Sequence, residues 1–349
     1  MARRTGGTLT FDPTTILSFP AALATAGEGK PHLLLGNGFS LAWRSDVFRY
    51  GALLDAAEFS TLTVDGRALF VALGTTDFET VIEALRTAAL LAEVYEPSDA
   101  PRAARLRADA SAVKDELARV IALRHPENPA EITDDEYQHA SAFLATFDHL
   151  YTVNYDLLLY WVAMQASSSI RSDDGFRADP DDHDAPWVTW DSSGRSRGQN
   201  LFYLHGALHL FDQGDRLTKF TWNRTGIRLI AQIRDALEGD AYPVVVTEGT
   251  SSEKLKKITH SAYLSHAFRS LASLGSSRAL FLFGLSLSAS DDHIVQLIRS
   301  GSVGRLFVSV RGSPSADLVA RLQVLHDMRD PSRPLDIMLY DADSARVWR

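Results

Sequence analysis

No cysteine occurs anywhere in the 349-residue sequence. Disulfide bridges, a thiolate nucleophile, Cys-ligated iron–sulfur clusters and cysteine-based zinc sites are therefore excluded. Long apolar runs are also missing: none approaches the ~20 residues that cross a bilayer, and the opening MARRTGGTLTFDPTT lacks the apolar stretch of a signal peptide. A cytoplasmic location without a membrane partner is the expectation. Basic residues are in the minority, with 35 Lys+Arg against 44 Asp+Glu and a net charge of -9. This balance argues against a surface given over to nucleic acid, while leaving room for a local basic face. Arg102, Arg105 and Arg107, for instance, read as a solvated helix face. With 45% hydrophobic residues the chain is otherwise an ordinary globular one. Its length suits about two domains, or one large domain with insertions.

Three apolar segments, 32–35, 150–153 and 279–283, each end in a small or polar cluster followed by a helix-like pattern, as a strand entering a βα turn does. Further runs at 201–204, 242–246, 305–310 and 335–339 have the unalternating character of strands buried on both faces. Seven such strands predict an α/β architecture with a doubly wound, mostly parallel sheet. Two stretches interrupt it. Residues 78–147 are rich in Ala, Leu, Glu and Arg, with breaks around Pro97 and Pro126, and read as a helical insertion separating core segments 1–77 and 148–349. Residues 167–200 are polar, with Asp179, Asp181, Asp182 and Asp184 near Pro180 and Pro186, and read as a long surface loop, a candidate lid. Segments 208–211 and 217–222 look like a small β-hairpin.

Four strand ends carry the chemistry-bearing residues. In Gly36-Asn37-Gly38-Phe39-Ser40 two glycines free the backbone beside a helix N-terminus, which suits a phosphate or a plain turn with Ser40 as cap. In Thr152-Val153-Asn154-Tyr155-Asp156, Asn154 either caps the next helix or holds a ribose hydroxyl or a water. Asp156 serves the loop or contacts substrate. His205, at the end of Tyr203-Leu204-His205-Gly206, is a candidate general base or a structural histidine, its glycine letting a ligand approach. Gly284, Ser286 and Asp291 lie in FGLSLSASDDHI, where hydroxyls suit ribose or phosphate and Asp291 suits a cap or a ribose. Asp291 and His293 are two apart on a helix and face different ways, so no metal is expected there, and none is expected elsewhere in the chain. At 250–254, Ser251 or Ser252 with Glu253 reads as a helix cap, and Thr250 or Lys254 as a possible phosphate contact.

Taken in this order, GNGFS, TVNYD, YLHG and FGLSLSASDDHI resemble the SIR2-like family of bacterial proteins, the sirtuin-related NAD-hydrolysing domains of antiviral defence systems. The resemblance runs from about residue 31 to about residue 308. It implies a Rossmann-like core with NAD as substrate. Gly36, Asn37, Gly38, Phe39 and Ser40 would line the dinucleotide, Asn154 and His205 would act on the nicotinamide ribose with Asp156 beside them, and Gly284, Ser286 and Asp291 would hold the adenosine side. True sirtuin deacylases carry a zinc module held by four cysteines, so the lack of cysteine turns the expectation from lysine deacylation to NAD+ glycohydrolysis. The resemblance also implies a defence effector that self-assembles or pairs with an ATPase or Argonaute-like partner, touching nucleic acid only through it. Two other classes stand beside this one: a silent NAD- or ADP-ribose-binding regulatory subunit, and a nucleic-acid-acting subunit of a defence complex.

Overall fold

Strands β1 (Ile16–Leu17), β2 (His32–Leu35), β3 (Leu150–Thr152), β6 (Leu201–Tyr203), β9 (Leu280–Phe283), β10 (Arg305–Val310) and β11 (Asp336–Asp341) pair in parallel throughout. Their order across the sheet is β1-β11-β10-β9-β2-β3-β6. They belong to a computed structural model that describes residues 11–166, 170–191, 198–214, 216–247 and 250–349. Read from β6 to β11, with β2 as the first strand, the order is the 3-2-1-4-5-6 of a Rossmann-like sheet, extended by β1 at one edge.

Helices on both faces explain why the strand sequences do not alternate. In β9, Phe281 and Phe283 point into one core with Phe19, Phe143, Phe147 and Phe307, while Leu280 and Leu282 point into the other with Leu34, Leu306 and Val308. The first face is covered by the N-terminal helix Phe19–Thr25 and by helices of the segment between β2 and β3. The second is covered by helices Ala262–Ala272, Asp292–Ser300 and Ala316–Asp327.

Segment 78–147 contains no strand, as its composition predicts. Its long helices Phe78–Tyr95 and Ala100–Arg124 start at the side-chain caps Asp77 and Asp99, and Asp134–Ala145 starts at a capping box of Thr133 and Glu136. The breaks fall at the expected prolines.

Two expectations need correction. Segment 242–246 is no strand of the main sheet. Pro243 has no amide to give, and the segment runs antiparallel across 205–210: Ala207 N donates to Val244 O, Val244 N to Leu210 O and Val246 N to His205 O. The two-residue β1 makes the seventh strand instead.

Second, the described part of 167–200 is more than a loop. It contains β4 (Phe176–Ala178) and β5 (Trp187–Trp190), which join the predicted hairpin of β7 (Leu210–Asp212) and β8 (Leu217–Phe220) in an antiparallel sheet of order β4-β5-β8-β7. Two of the acidic residues that suggested solvent, Asp179 and Asp181, are paired with Arg216. Asp179 accepts from Arg216 Nη1 at 3.1 Å and caps the amides of Asp181 and Asp182. Asp174 binds the Lys219 ammonium, which also lies 5.1 Å from the Tyr160 ring and 5.2 Å from that of Phe176.

Because Lys219 is buried, Asp174→Ala strands a charge inside the small sheet. The expected loss is about 3 kcal/mol in urea unfolding, most of it recovered by adding Lys219→Met. An unchanged midpoint in Asp174→Ala would show that the ammonium reaches water.

Candidate functional site

After β2 the chain crosses toward β3, and after β9 it crosses toward β10, so the loops that leave these neighbouring strands diverge. Such a switch point opens a crevice at the carboxyl ends of the strands. A cleft of about 750 Å³ lies there, within the size range of small-molecule sites. Gly36, Asn37, Gly38, Asn154, Asp156, His205, Gly284, Ser286 and Asp291 all line it. Four loops far apart in sequence thus bring most of the expected residues together.

The glycines have a packing task. A Cβ on Gly38 would stand 2.3 Å from the Gly284 Cα, and one on Gly36 would stand 2.6 Å from the Gly284 carbonyl oxygen. Gly284 itself has φ of 70°, a left-handed conformation that favours glycine. Gly36 N donates to Phe283 O, Gly38 N to Gly284 O and Phe39 N to Gly36 O, so these three amides are already used. A phosphate cradle made of them, as the sequence suggested, is therefore corrected to a loop-to-loop clasp. Asn37 spends its side-chain amide on the Phe48 carbonyl at 3.3 Å. Gly206 is likewise required by packing, since a Cβ there would lie 1.8 Å from Val244 O.

Phe39 and Ser40 stand behind the wall rather than in it. Phe39 is buried against Trp348, with ring centroids 4.9 Å apart, and its carbonyl accepts from the Trp348 indole at 2.8 Å. Ser40, fully buried, donates to Asp156 Oδ2 at 2.5 Å and accepts from Asn154 Nδ2 at 3.1 Å. Asp156 Oδ1 takes the Leu158 amide at 2.9 Å. This relay fixes the Asn154 amide, and no donor among the described residues reaches its Oδ1. Burial raises the Asp156 carboxyl pKa, against the pull of the bonds from Ser40 and Leu158.

His205 is buried, and its Nε2 lies 2.8 Å from Nε2 of His293, whose Nδ1 is 3.4 Å from Ser251 Oγ. Burial, the nearby Lys254 ammonium and His293 hold the His205 imidazole well below its ordinary range, and burial and Lys254 push His293 down to about 3. Both rings are neutral at physiological pH. Lys254, expected as a phosphate contact, is instead fully buried in an ion pair with Glu79 Oε2 at 2.6 Å. Glu79 Oε1 lies 3.0 Å from the Tyr155 hydroxyl, itself 2.8 Å from Val246 O. The cap of the helix Ser251–His260 is Thr250, boxed with Glu253, rather than Ser251 or Ser252.

The sequence reading missed several lining residues: Arg49, Tyr50, Thr76, Asp77 and Glu79, all from the segment between β2 and β3. An acidic residue at a helix start, as Asp77 is, gives no sequence signal beyond capping. None of the described residues of 170–191 and 198–200 lines the cleft, and the rest of the expected lid lies outside the described residues. Leu287 is buried at φ of 51°, a strained conformation for a branched side chain, in the same loop as Ser286 and Asp291.

Burial pushes the Asp291 carboxyl up to about 6, with Glu79 and Asp77 adding repulsion and Lys254 opposing it. A raised carboxyl favours folding below its unfolded pKa of 3.8 and loses that benefit as pH rises through about 6. Asp291→Asn is therefore expected to be more stable than the parent by on the order of 2 kcal/mol at pH 8 and equal to it at pH 3. Thermal unfolding across that range checks this, and a gain that does not depend on pH would contradict it.

A comparison with the curated proteins gives no match. A family model described as a domain of unknown function, DUF4917, matches residues 33–348, which takes in all the cleft residues named above. The chain belongs to the DUF4917 family.

Proposed function

We propose that the cleft hydrolyses NAD+, releasing nicotinamide. The observation that carries the reading is the meeting of Asn154 and His205 in one cleft at a Rossmann-like switch point, with Asn154 set by a buried Ser40–Asp156 relay. The sequence resemblance supplies the substrate. The surroundings suit a ligand that is anionic at its pyrophosphate and cationic at its nicotinamide. Arg49 is exposed on the rim, with no side-chain partner among the described residues, and would take the pyrophosphate. Asp77 and Asp291 would face the positive end, with Glu79 held in its pair with Lys254.

In the reaction the C1′–N glycosidic bond breaks, its electron pair leaves with nicotinamide, and positive charge develops at C1′. The carboxylates stabilise that charge electrostatically. The Asn154 Oδ1 accepts a hydrogen bond from the ribose or from the attacking water. Oxygen of water bonds to C1′, and the proton it gives up passes to neutral His205 and on to solvent, leaving ADP-ribose. In the cell we propose that this activity depletes NAD+ as a defence response and stays quiet until the protein self-assembles or an ATPase or Argonaute-like partner binds.

One observation favours a second reading. His205 is 2% exposed with Nε2 committed to His293, as befits a structural residue of an NAD- or ADP-ribose-binding subunit that turns nothing over.

Purified protein incubated with NAD+, alone and with lysate of phage-infected cells, decides between them. Hydrolysis predicts nicotinamide release that falls by roughly 100-fold or more in Asn154→Ala and in His205→Ala. Arg49→Ala is expected to raise KM about tenfold with a smaller change in kcat. Binding of NAD+ without release under either condition would establish the silent subunit.

A further inference from the structure

The opposite end of the sheet holds a second cavity, of about 270 Å³, lined by His32, Asp148, His149 and Arg278 together with serines near the end of helix Ala262–Ala272. Its position follows from register. His32 opens β2 and His149 immediately precedes β3, and the pairing of Leu33 with Leu150 sets the two histidines side by side in neighbouring parallel strands. Residues level with each other in adjacent parallel strands present their side chains on the same face. Both imidazoles therefore enter one space, with ring centroids 4.9 Å apart. From there to Gly36 the chain rises four residues, about 13 Å, so the cavity is separate from the cleft.

The pairing brings together imidazole nitrogens that lack hydrogen bonds among the described residues. The Nδ1 atoms of His32 and His149 are both buried without a hydrogen-bond partner among the described residues. That of His149 lies 3.4 Å from Asp148 Oδ2, but without hydrogen-bond geometry. A buried imidazole nitrogen left without a partner is costly, and two such rings beside one carboxylate ask for a shared ligand. Arg278 binds Asp148 Oδ2, and among the described residues Oδ1 of that carboxylate has no partner.

We propose that His32, His149 and Asp148 bind a divalent transition-metal ion, of the zinc class. One ligand atom from each lies within 4.8 Å of the others. Around a tetrahedral ion with bonds of about 2.0–2.1 Å the ligand atoms stand roughly 3.4 Å apart, so no pair needs to close by more than about 1.4 Å on binding. Two imidazoles and one carboxylate suit zinc or a neighbouring first-row ion over magnesium or calcium, which prefer oxygen alone. Three protein ligands leave a fourth position for water from the open side of the cavity.

The surroundings hold the ligands ready. The His149 ring lies parallel to Phe202, with an interplanar angle of 3°, and nearly so to Tyr151 at 15°. Asn200 Nδ2 donates to the Asp148 carbonyl at 2.8 Å, and the Asp148 amide donates to Pro31 O. Arg278 orients the carboxylate and also opposes a cation, and with its side chain 41% exposed it can turn outward as the ion enters. Such an ion would tie the starts of β2 and β3 together. Cysteine counting could not reveal this site, because its ligands are a histidine and a distant Asp-His pair.

Full-length, tag-free protein dialysed against EDTA and titrated with Zn2+ by calorimetry tests this. One ion per chain is expected, with Tm raised by about 3 °C at saturation. Co2+ is expected to give the visible absorption of a low-coordinate site. His149→Phe, which keeps a ring to lie against Phe202, and Asp148→Asn are each expected to weaken binding by at least about 100-fold with the fold intact by circular dichroism. His260→Ala, on the outer face of another helix, is expected to bind as the parent does. Absence of binding by the parent protein, or binding that survives both His149→Phe and Asp148→Asn, would overturn the assignment.

Discussion

The contact between the loop after β2 and the loop after β9 is the constraint on which the site depends. These loops leave neighbouring strands in opposite directions, yet their backbones must touch. Gly38 and Gly284 approach so closely that a side chain on either would meet the other's main chain, and Gly38 N donates to Gly284 O at 2.9 Å. The clasp closes the floor of the crevice. It also sets the start of helix Gly38–Phe48, and with it Ser40, at the depth where Ser40 reaches both Asp156 and Asn154. Trp348, near the end of the chain, packs behind the same turn and fixes Phe39.

A second layer follows from burial. Lys254 and Glu79 form a closed ion pair at the wall between the histidines and the acidic side of the cleft. The Lys254 ammonium helps to keep His205 and His293 neutral, and it restrains the rise of the Asp291 carboxyl. Removing one member of such a pair leaves an uncompensated charge indoors, so this wall is both an electrostatic device and a structural one. The cleft therefore combines neutral imidazoles, a buried carboxyl relay and one exposed guanidinium at Arg49.

Much of this was legible in the sequence because strands buried on both faces advertise themselves as unbroken apolar runs. Six of the seven expected strands occupy the main sheet, and the four motifs fall at strand ends that converge. What escaped depended on contacts between distant segments. The glycines read as ligand-facing because their spacing is that of a phosphate turn, whereas their neighbours across the clasp decide their role. Lys254 sits in a helix whose pattern says only amphipathic, and its partner Glu79 lies 175 residues earlier. The strands β4 and β5 were hidden by aspartates that look solvated until Arg216 and Lys219 are brought to them. Tyr242 to Val246 failed for the opposite reason: its apolar run is real, but Pro243 and the direction of the chain keep it out of a parallel ladder.

The proposed occupant of the crevice closed by this clasp is NAD+. Amide hydrogen exchange, followed with and without NAD+, tests it directly. Slowed exchange is expected in the loops after β2, β3 and β9, around Asn37, Asn154 and Ser286, with none in the turn around Ser277 at the far end of the sheet. Unchanged exchange in all three loops, or protection confined to the far end, would contradict it.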